Sequence, residues 1–251
     1  MKKNVLLLCL LFTFGIGFSQ IRPNEKLIYA ASYNMSGLMT QLAQVSMHTE
    51  TVNTSKKTYL HLSWEAETFS KWDRFFKIRD MYETYVNPST LRPSLYKRSI
   101  YEGGYSKTEK YIFSPDGKTI SSTTTKKNGT ETKKTFKISS VSQDIISIIY
   151  KLRTVDFSKF KPGQILSYTI VFDEKEYPVF IKYMGLETVS AGNLGKKECY
   201  KLAISARTNE LKGVDKNLIW ITADSQKVPA LIRFSISGGT GQLSLVSASG
   251  I

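Results

Sequence analysis

Cysteine is almost missing from this chain: there are two, Cys9 and Cys199. Cys9 lies in an N-terminal segment read below as a removable signal, so the mature protein can form no intramolecular disulfide. Its fold must then rest on its core, even in an oxidising compartment. Cys199 stands between Glu198 and Tyr200 in a strand-like run and reads as a buried, inert thiol. Histidine is as scarce, with His48 and His61 alone. There is no G-x-S-x-G elbow, and Cys199 has no histidine near it in sequence, so nucleophilic catalysis lacks its parts. A glycine-rich phosphate loop is missing too. Gly238-Gly239-Thr240-Gly241 has strands on both sides and no helix after it, which makes it a hairpin turn. No catalytic residue is assigned, no cofactor is expected, and the chain reads as a non-enzyme.

Long apolar runs are confined to the start. Lys2 and Lys3 precede the run from Val5 to Phe14, and small residues follow at Gly15, Gly17 and Ser19. That is a secretory signal peptide over residues 1–19, with cleavage expected between Ser19 and Gln20. The run is shorter than the ~20 residues a membrane helix needs. Leu8 before Cys9 argues against a lipoprotein cleavage site. Residues 20–251 are expected to be one soluble, periplasmic, β-rich domain, long enough for a core. The formal net charge is +14. An exported chain rarely meets nucleic acid, so anionic lipid head groups or an acidic partner suit this charge better, beside the plain reading of a solvated lysine-rich surface.

What is present is alternation. From Phe76 to Tyr105 the chain reads strand, turn, strand, turn. Phe76, Ile78, Tyr82 and Val86 share the greasier face, and Lys77, Arg79, Glu83 and Tyr85 the other. Gly103-Gly104 ends the second strand. Leu42 to Glu67 reads as a hairpin with its turn at Thr54-Ser55. That register sets Met47 against Leu62, Val45 against Trp64, Thr49 against Leu60, and His48 against His61. Pro115-Asp116-Gly117 and Asn128-Gly129 mark further turns, the second within an exposed lysine-rich ribbon or a disordered loop. After residue 160 strands return, from Leu166 to Ser249, with Thr188 to Gly192 as a separate short one.

Ser140 to Asp156 breaks the pattern. Val141, Ile145, Ile148, Ile149, Leu152 and Val155 recur at helical spacing, and Ser140 and Gln143 have capping-box spacing. Ile146 and Tyr150 lie off that stripe, so this helix wants cover on more than one side. The fold class is therefore all-β with one packed helix, a curved antiparallel sheet or open β-barrel with the helix as a plug. Ile146 and Tyr150 are expected to face the hollow or a ligand.

Several motifs, in order, resemble an exported bacterial group, domain-of-unknown-function family 3108. They are Arg79-Asp80-x-Tyr82-Glu83-Thr84-Tyr85-Val86, Leu91-Arg92-Pro93, Glu102-Gly103-Gly104, Gln143-Asp144, Tyr150-x-Leu152-Arg153, Lys161-Pro162-Gly163, Gly185-x-Glu187 and Trp220-Ile221-x-x-Asp224 with Val228-Pro229. The family has no assigned activity, so no catalytic residue carries over. The Trp-x-x-x-Asp…Val-Pro ending is also similar to the last strands of Lol-type lipoprotein carriers, which implies an open barrel with a helix on its concave side.

Candidate sites follow. An apolar or amphiphilic ligand, a lipid or a lipoprotein acyl chain, is expected in the concave face against Ile146, Tyr150, Tyr82 and Trp220. His48 and His61 are weak metal candidates, since two ligands fall short of a structural site. Asp80, Glu83 and Glu102 suggest cross-strand ion pairs before paired catalytic carboxylates. The alternatives are an interaction module binding another envelope protein along the basic ribbon, and an unrecognised hydrolase. Any membrane association is expected to be peripheral at most.

Overall fold

The computed structural model describes residues 21–34, 37–139, 142–206, 216–236 and 238–251. The signal segment, Ser140 and Val141 lie outside them. Strands β1 (Lys26–Asn34), β2 (Met39–Asn53), β3 (Thr58–Thr68), β4 (Arg79–Val86), β5 (Pro93–Glu102), β6 (Tyr105–Phe113), β7 (Thr119–Lys126) and β8 (Glu131–Lys137) form a first meander. Strands β9 (Ile165–Phe172), β10 (Lys175–Ser190), β11 (Lys196–Ala206), β12 (Asn217–Thr222), β13 (Pro229–Ile236) and β14 (Gly239–Ser249) form a second. Pairing of β1 with β14 joins them into one 14-stranded antiparallel sheet with β8 and β9 at its edges. The sheet is not closed into a barrel. β10 runs on to Ser190, so the separate strand expected at Thr188 is its continuation past a register shift between Tyr183 and Gly185.

The β2–β3 hairpin keeps the expected faces but shifts by two residues. Met47 opposes Trp64, Thr49 opposes Leu62, and His48 opposes Ser63. A two-residue slip preserves which side chains point inward. Thr54 sets the new register: its hydroxyl accepts from the Lys57 N–H at 3.0 Å and donates to the Lys57 carbonyl at 2.8 Å, which moves the turn one residue on.

The expected helix is shorter. Helix α1 spans Ser147–Arg153. Before it, Gln143 bridges the β9 edge: its N–H donates to the Thr169 carbonyl at 2.9 Å, and the Val171 N–H donates to its carbonyl at 2.8 Å. An open strand edge presents unpaired backbone groups. Pairing them outweighs another turn of helix. Asp144 stands before the helix and accepts from the N–H groups of Ile146 and Ser147 at 2.9 and 2.8 Å.

α1 lies between two apolar clusters. Ile146 and Tyr150 pack with Leu27, Tyr29, Met47, Leu62 and Tyr96. Ile148 and Leu152 pack with Phe157, Ile181, Tyr200 and Leu202. This is the cover on more than one side that its girth of apolar residues requires. Both ends are pinned by buried polar contacts. The Thr84 hydroxyl donates to Asp144 at 2.7 Å, and Arg153 grips Glu25 through two hydrogen bonds of 2.6 and 2.7 Å.

The two sheet edges are held together by side chains. The β9–β10 turn is Asp173-Glu174, both at positive φ. Asp173 meets Arg98 at 2.7 Å and Lys107 at 3.0 Å. Glu174 accepts from Ser122 at 2.9 Å and pairs with Lys134 at 2.5 Å, while its N–H donates to the Tyr111 hydroxyl at 3.0 Å. One turn of the second meander thus reaches across β5 to β8 of the first.

Candidate functional site

Between α1 and β9–β13 lies an apolar cavity of about 180 Å3. Ile145, Ile148, Ile149 and Leu152 form its helical wall, and Ile170, Val179, Ile181 and Ile219 are among the sheet residues facing them. The helical stripe legible in the sequence is this wall. Two polar side chains join the lining, Arg233 and Asn217. Arg233 is engaged by Gln242 at 3.2 Å. The Asn217 side-chain Oδ1 accepts from the Ser235 N–H at 3.1 Å, whereas its Nδ2 is buried with no partner among the described residues. A buried amide donor left unpaired costs free energy. The site therefore offers almost purely aliphatic surface.

The residues expected to line a ligand site fall elsewhere. Ile146 and Tyr150 are fully buried in the first cluster, on the far side of α1 from the cavity. Tyr82 packs on that cluster too, with its ring 6.3 Å from that of Trp64. Trp220 opposes Lys201, whereas Ile219 and Ile221 oppose Leu202 and Tyr200. It therefore stands on the other face of β12, with Lys201 and Arg233 each 5.4 Å from its ring. Sequence reasoning missed Asn217, because a lone asparagine at a strand start carries no periodic signal.

The histidines do not face each other. His61 opposes Glu50 and meets Glu83 at 3.0 Å, stacked on Tyr85 at 4.4 Å. Among the described residues no three His, Cys, Asp or Glu side chains could hold a metal ion together. Of the carboxylates, Asp80 and Glu102 meet through a side-chain hydrogen bond, whereas Glu83 stands apart. Glu83 shares its face of β4 with Tyr85, while Asp80 is on the opposite, inward face. Asp80 accepts from the Tyr101 N–H at 3.0 Å. Burial, helped by the neighbouring Glu102 carboxylate, pushes Asp80 up to about 7. Asp144 is raised by burial as well, against the hydrogen bonds it accepts. Burial pushes the Cys199 thiol up to about 12, which suits an inert thiol.

The motif residues mostly serve architecture. Asp144 and Arg153 pin α1. Asp224 accepts from the N–H groups of Gln226 and Lys227, both at 3.2 Å, and so shapes the β12–β13 turn. The Pro229 carbonyl takes the buried Tyr29 hydroxyl at 2.9 Å. A family model described as "Protein of unknown function (DUF3108)" matches residues 29–246. The chain belongs to the DUF3108 family. No curated protein matches it. The DUF3108 chain is also similar to a β-barrel-like protein of domain of unknown function DUF1849 from Brucella abortus. The TM-score is 0.57 at 8% identity, covering 91% of this chain and 98% of that one. At that identity the likeness concerns the fold. A protein from Bacteroides fragilis, provisionally described as exported and with a YmcC-like fold, matches at 6% identity. That match covers 91% of this chain and 96% of that one, with a TM-score of 0.34. A provisionally described lipoprotein from Parabacteroides distasonis matches at 8% identity, covering 92% and 97%, with a TM-score of 0.37. No helix among the described residues of the DUF3108 chain is long and apolar enough to cross a membrane.

Proposed function

We propose that this protein is a non-enzymatic binding protein of the bacterial cell envelope, exported to the periplasm, that holds the end of one apolar chain. The ligand class is a lipid or lipoprotein acyl chain. The observation that carries this reading is the cavity beside α1, with its aliphatic walls. Its volume of about 180 Å3 is close to the ~150 Å3 of an apolar cavity that stays dry and accepts benzene. It is below the ~300–1,000 Å3 of pockets that enclose a whole drug-sized ligand. A chain terminus fits, a complete lipid does not. Polar substrates gain little from such walls, and no catalytic pair faces them.

Displacement of a fluorescent fatty-acid probe tests the reading. Ile149→Trp should fill the cavity and abolish uptake while the melting temperature holds or rises. Uptake unaffected by Ile149→Trp would refute the site. The interaction-module reading draws on the exposed lysines 126, 127, 133 and 137 of the β7–β8 ribbon. Lysines on an edge strand also serve simply to prevent edge-to-edge aggregation.

A further inference from the structure

One end of the sheet carries a rim of exposed apolar side chains. The β1–β2 turn presents Leu38 and Met39, the β3–β4 loop Phe75 and Phe76, and the β5–β6 turn Tyr101 and Tyr105. Phe75 is 79% exposed and Leu38 75%. Antiparallel pairing of β1 through β6 brings these three connections to the same end, side by side. They are also fixed to one another. The Trp72 Nε1–H donates to the Gln41 carbonyl at 2.9 Å. The Phe76 ring lies where a side chain on Gly103 would have to go, its Cε2 2.4 Å from the position of a Cβ there.

Cations are interleaved with this rim. Lys71, Arg74 and Lys77 are exposed on the β3–β4 loop. The one acid of that loop, Asp73, is committed to Arg79 at 2.7 Å and to the Thr68 hydroxyl at 2.5 Å. The loop therefore offers aromatic rings and positive charge together, and its one negative charge is matched by Arg79.

We propose that this rim docks the protein on an anionic lipid bilayer. Exposed apolar tips interleaved with cations are the composition of a surface that lies at a membrane interface. Aromatic side chains favour the depth of the head groups, and each nearby lysine or arginine gains from an anionic surface. The residues protrude singly from three turn tips instead of forming one flat face. A fluid surface accepts separate tips, whereas a protein partner would need a shape-matched socket for each. This inference rests on the loops alone and stands apart from what the cavity binds.

Flotation of residues 20–251 with phosphatidylcholine vesicles, with and without phosphatidylglycerol, tests it. Binding should require phosphatidylglycerol, weaken with salt, and shift the Trp72 emission to the blue. Phe75→Ser combined with Leu38→Ser should weaken binding about tenfold or more by removing the inserted apolar tips. Each of Lys71→Glu, Arg74→Glu and Lys77→Glu should cost about fivefold or more. Lys118→Glu, on the β6–β7 turn at the opposite end, should change nothing. Failure of the unaltered chain to float with the anionic vesicles overturns the proposal. So does binding that Lys118→Glu reduces as much as the loop variants do. If the rim variants instead abolish self-association in sedimentation, with no vesicle binding, the rim joins two copies of the chain and the proposal falls.

Discussion

Arg153 and Glu25 form a fully buried, two-pronged ion pair, with contacts of 2.6 and 2.7 Å between residues 128 apart in sequence. It fastens the last turn of α1 to the residue just before β1. Removing one partner strands the other charge in the core, which typically costs about 3–5 kcal/mol. Glu25→Gln and Arg153→Met should each lower stability by about that amount in urea melts. The double replacement Glu25→Leu with Arg153→Met should recover much of the loss, because no charge is then left unpaired. A double variant as unstable as the sum of the singles would mean that the two charges do not compensate each other.

Asp80 should make the protein less stable as pH rises. Its folded value is raised from 3.8 to about 7, so the native state binds a proton that the unfolded chain releases earlier. Stability falls with pH wherever the native state holds more protons. The loss therefore accumulates between the ordinary aspartate value and about 7. Denaturant midpoints at about pH 5 and about pH 8 should differ by less in Asp80→Asn than in the unaltered protein. An equal difference in both would assign the slope to other groups.

The Asp173-Glu174 turn should respond in the opposite direction. Contacts with Lys107 and Arg98, and with Lys134 and Ser122, hold these two carboxyls below their ordinary range, against the burial that raises them. Their contribution is present above the ordinary carboxylate values and is lost as pH falls through the lowered ones. Asp173→Asn with Glu174→Gly keeps a sequence that favours two left-handed turn residues and deletes both charges. The β9–β10 hairpin should survive. Amide exchange in β8 and β9 should become faster, and its dependence on salt should shrink.

Trp64 and His61 separate the two faces of the β2–β3 hairpin. Trp64→Ala removes a large ring from the first cluster and should cost about 3–5 kcal/mol. His61→Ala loses its stacking on Tyr85 and its bond to Glu83, about 1 kcal/mol together at a partly buried site on the outer face. Denaturant melts that reverse this order would contradict the observed facing.

The strands were legible because most show one buried and one exposed face, and their turns carry Gly, Pro, Asn or Asp. The two-residue slip at Thr54 was not, because a shift by two leaves every face unchanged and so leaves no trace in the pattern. The helix was overread at its start because Gln143 is drawn to the β9 edge, a long-range pairing that local spacing does not encode. The cavity wall was half legible. The Ile145, Ile148, Ile149, Leu152 stripe was visible, but which side of the helix would leave space depended on how well Ile146 and Tyr150 fill the first cluster. The rim escaped notice because its members come from three separate turns, each unremarkable alone.

The pairing of β1 with β14, Lys26 against Ser249, has a consequence for how the chain matures. The first strand made cannot find this neighbour until the last strand exists. A vectorially delivered chain would therefore hold one side of β1 unsatisfied for nearly its whole synthesis. Contacts of such sequence separation form slowly, and an unoccupied strand flank invites intermolecular pairing meanwhile. Assembly is thus gated by the C-terminus, and a chain interrupted before β14 is left with an unpaired flank on β1.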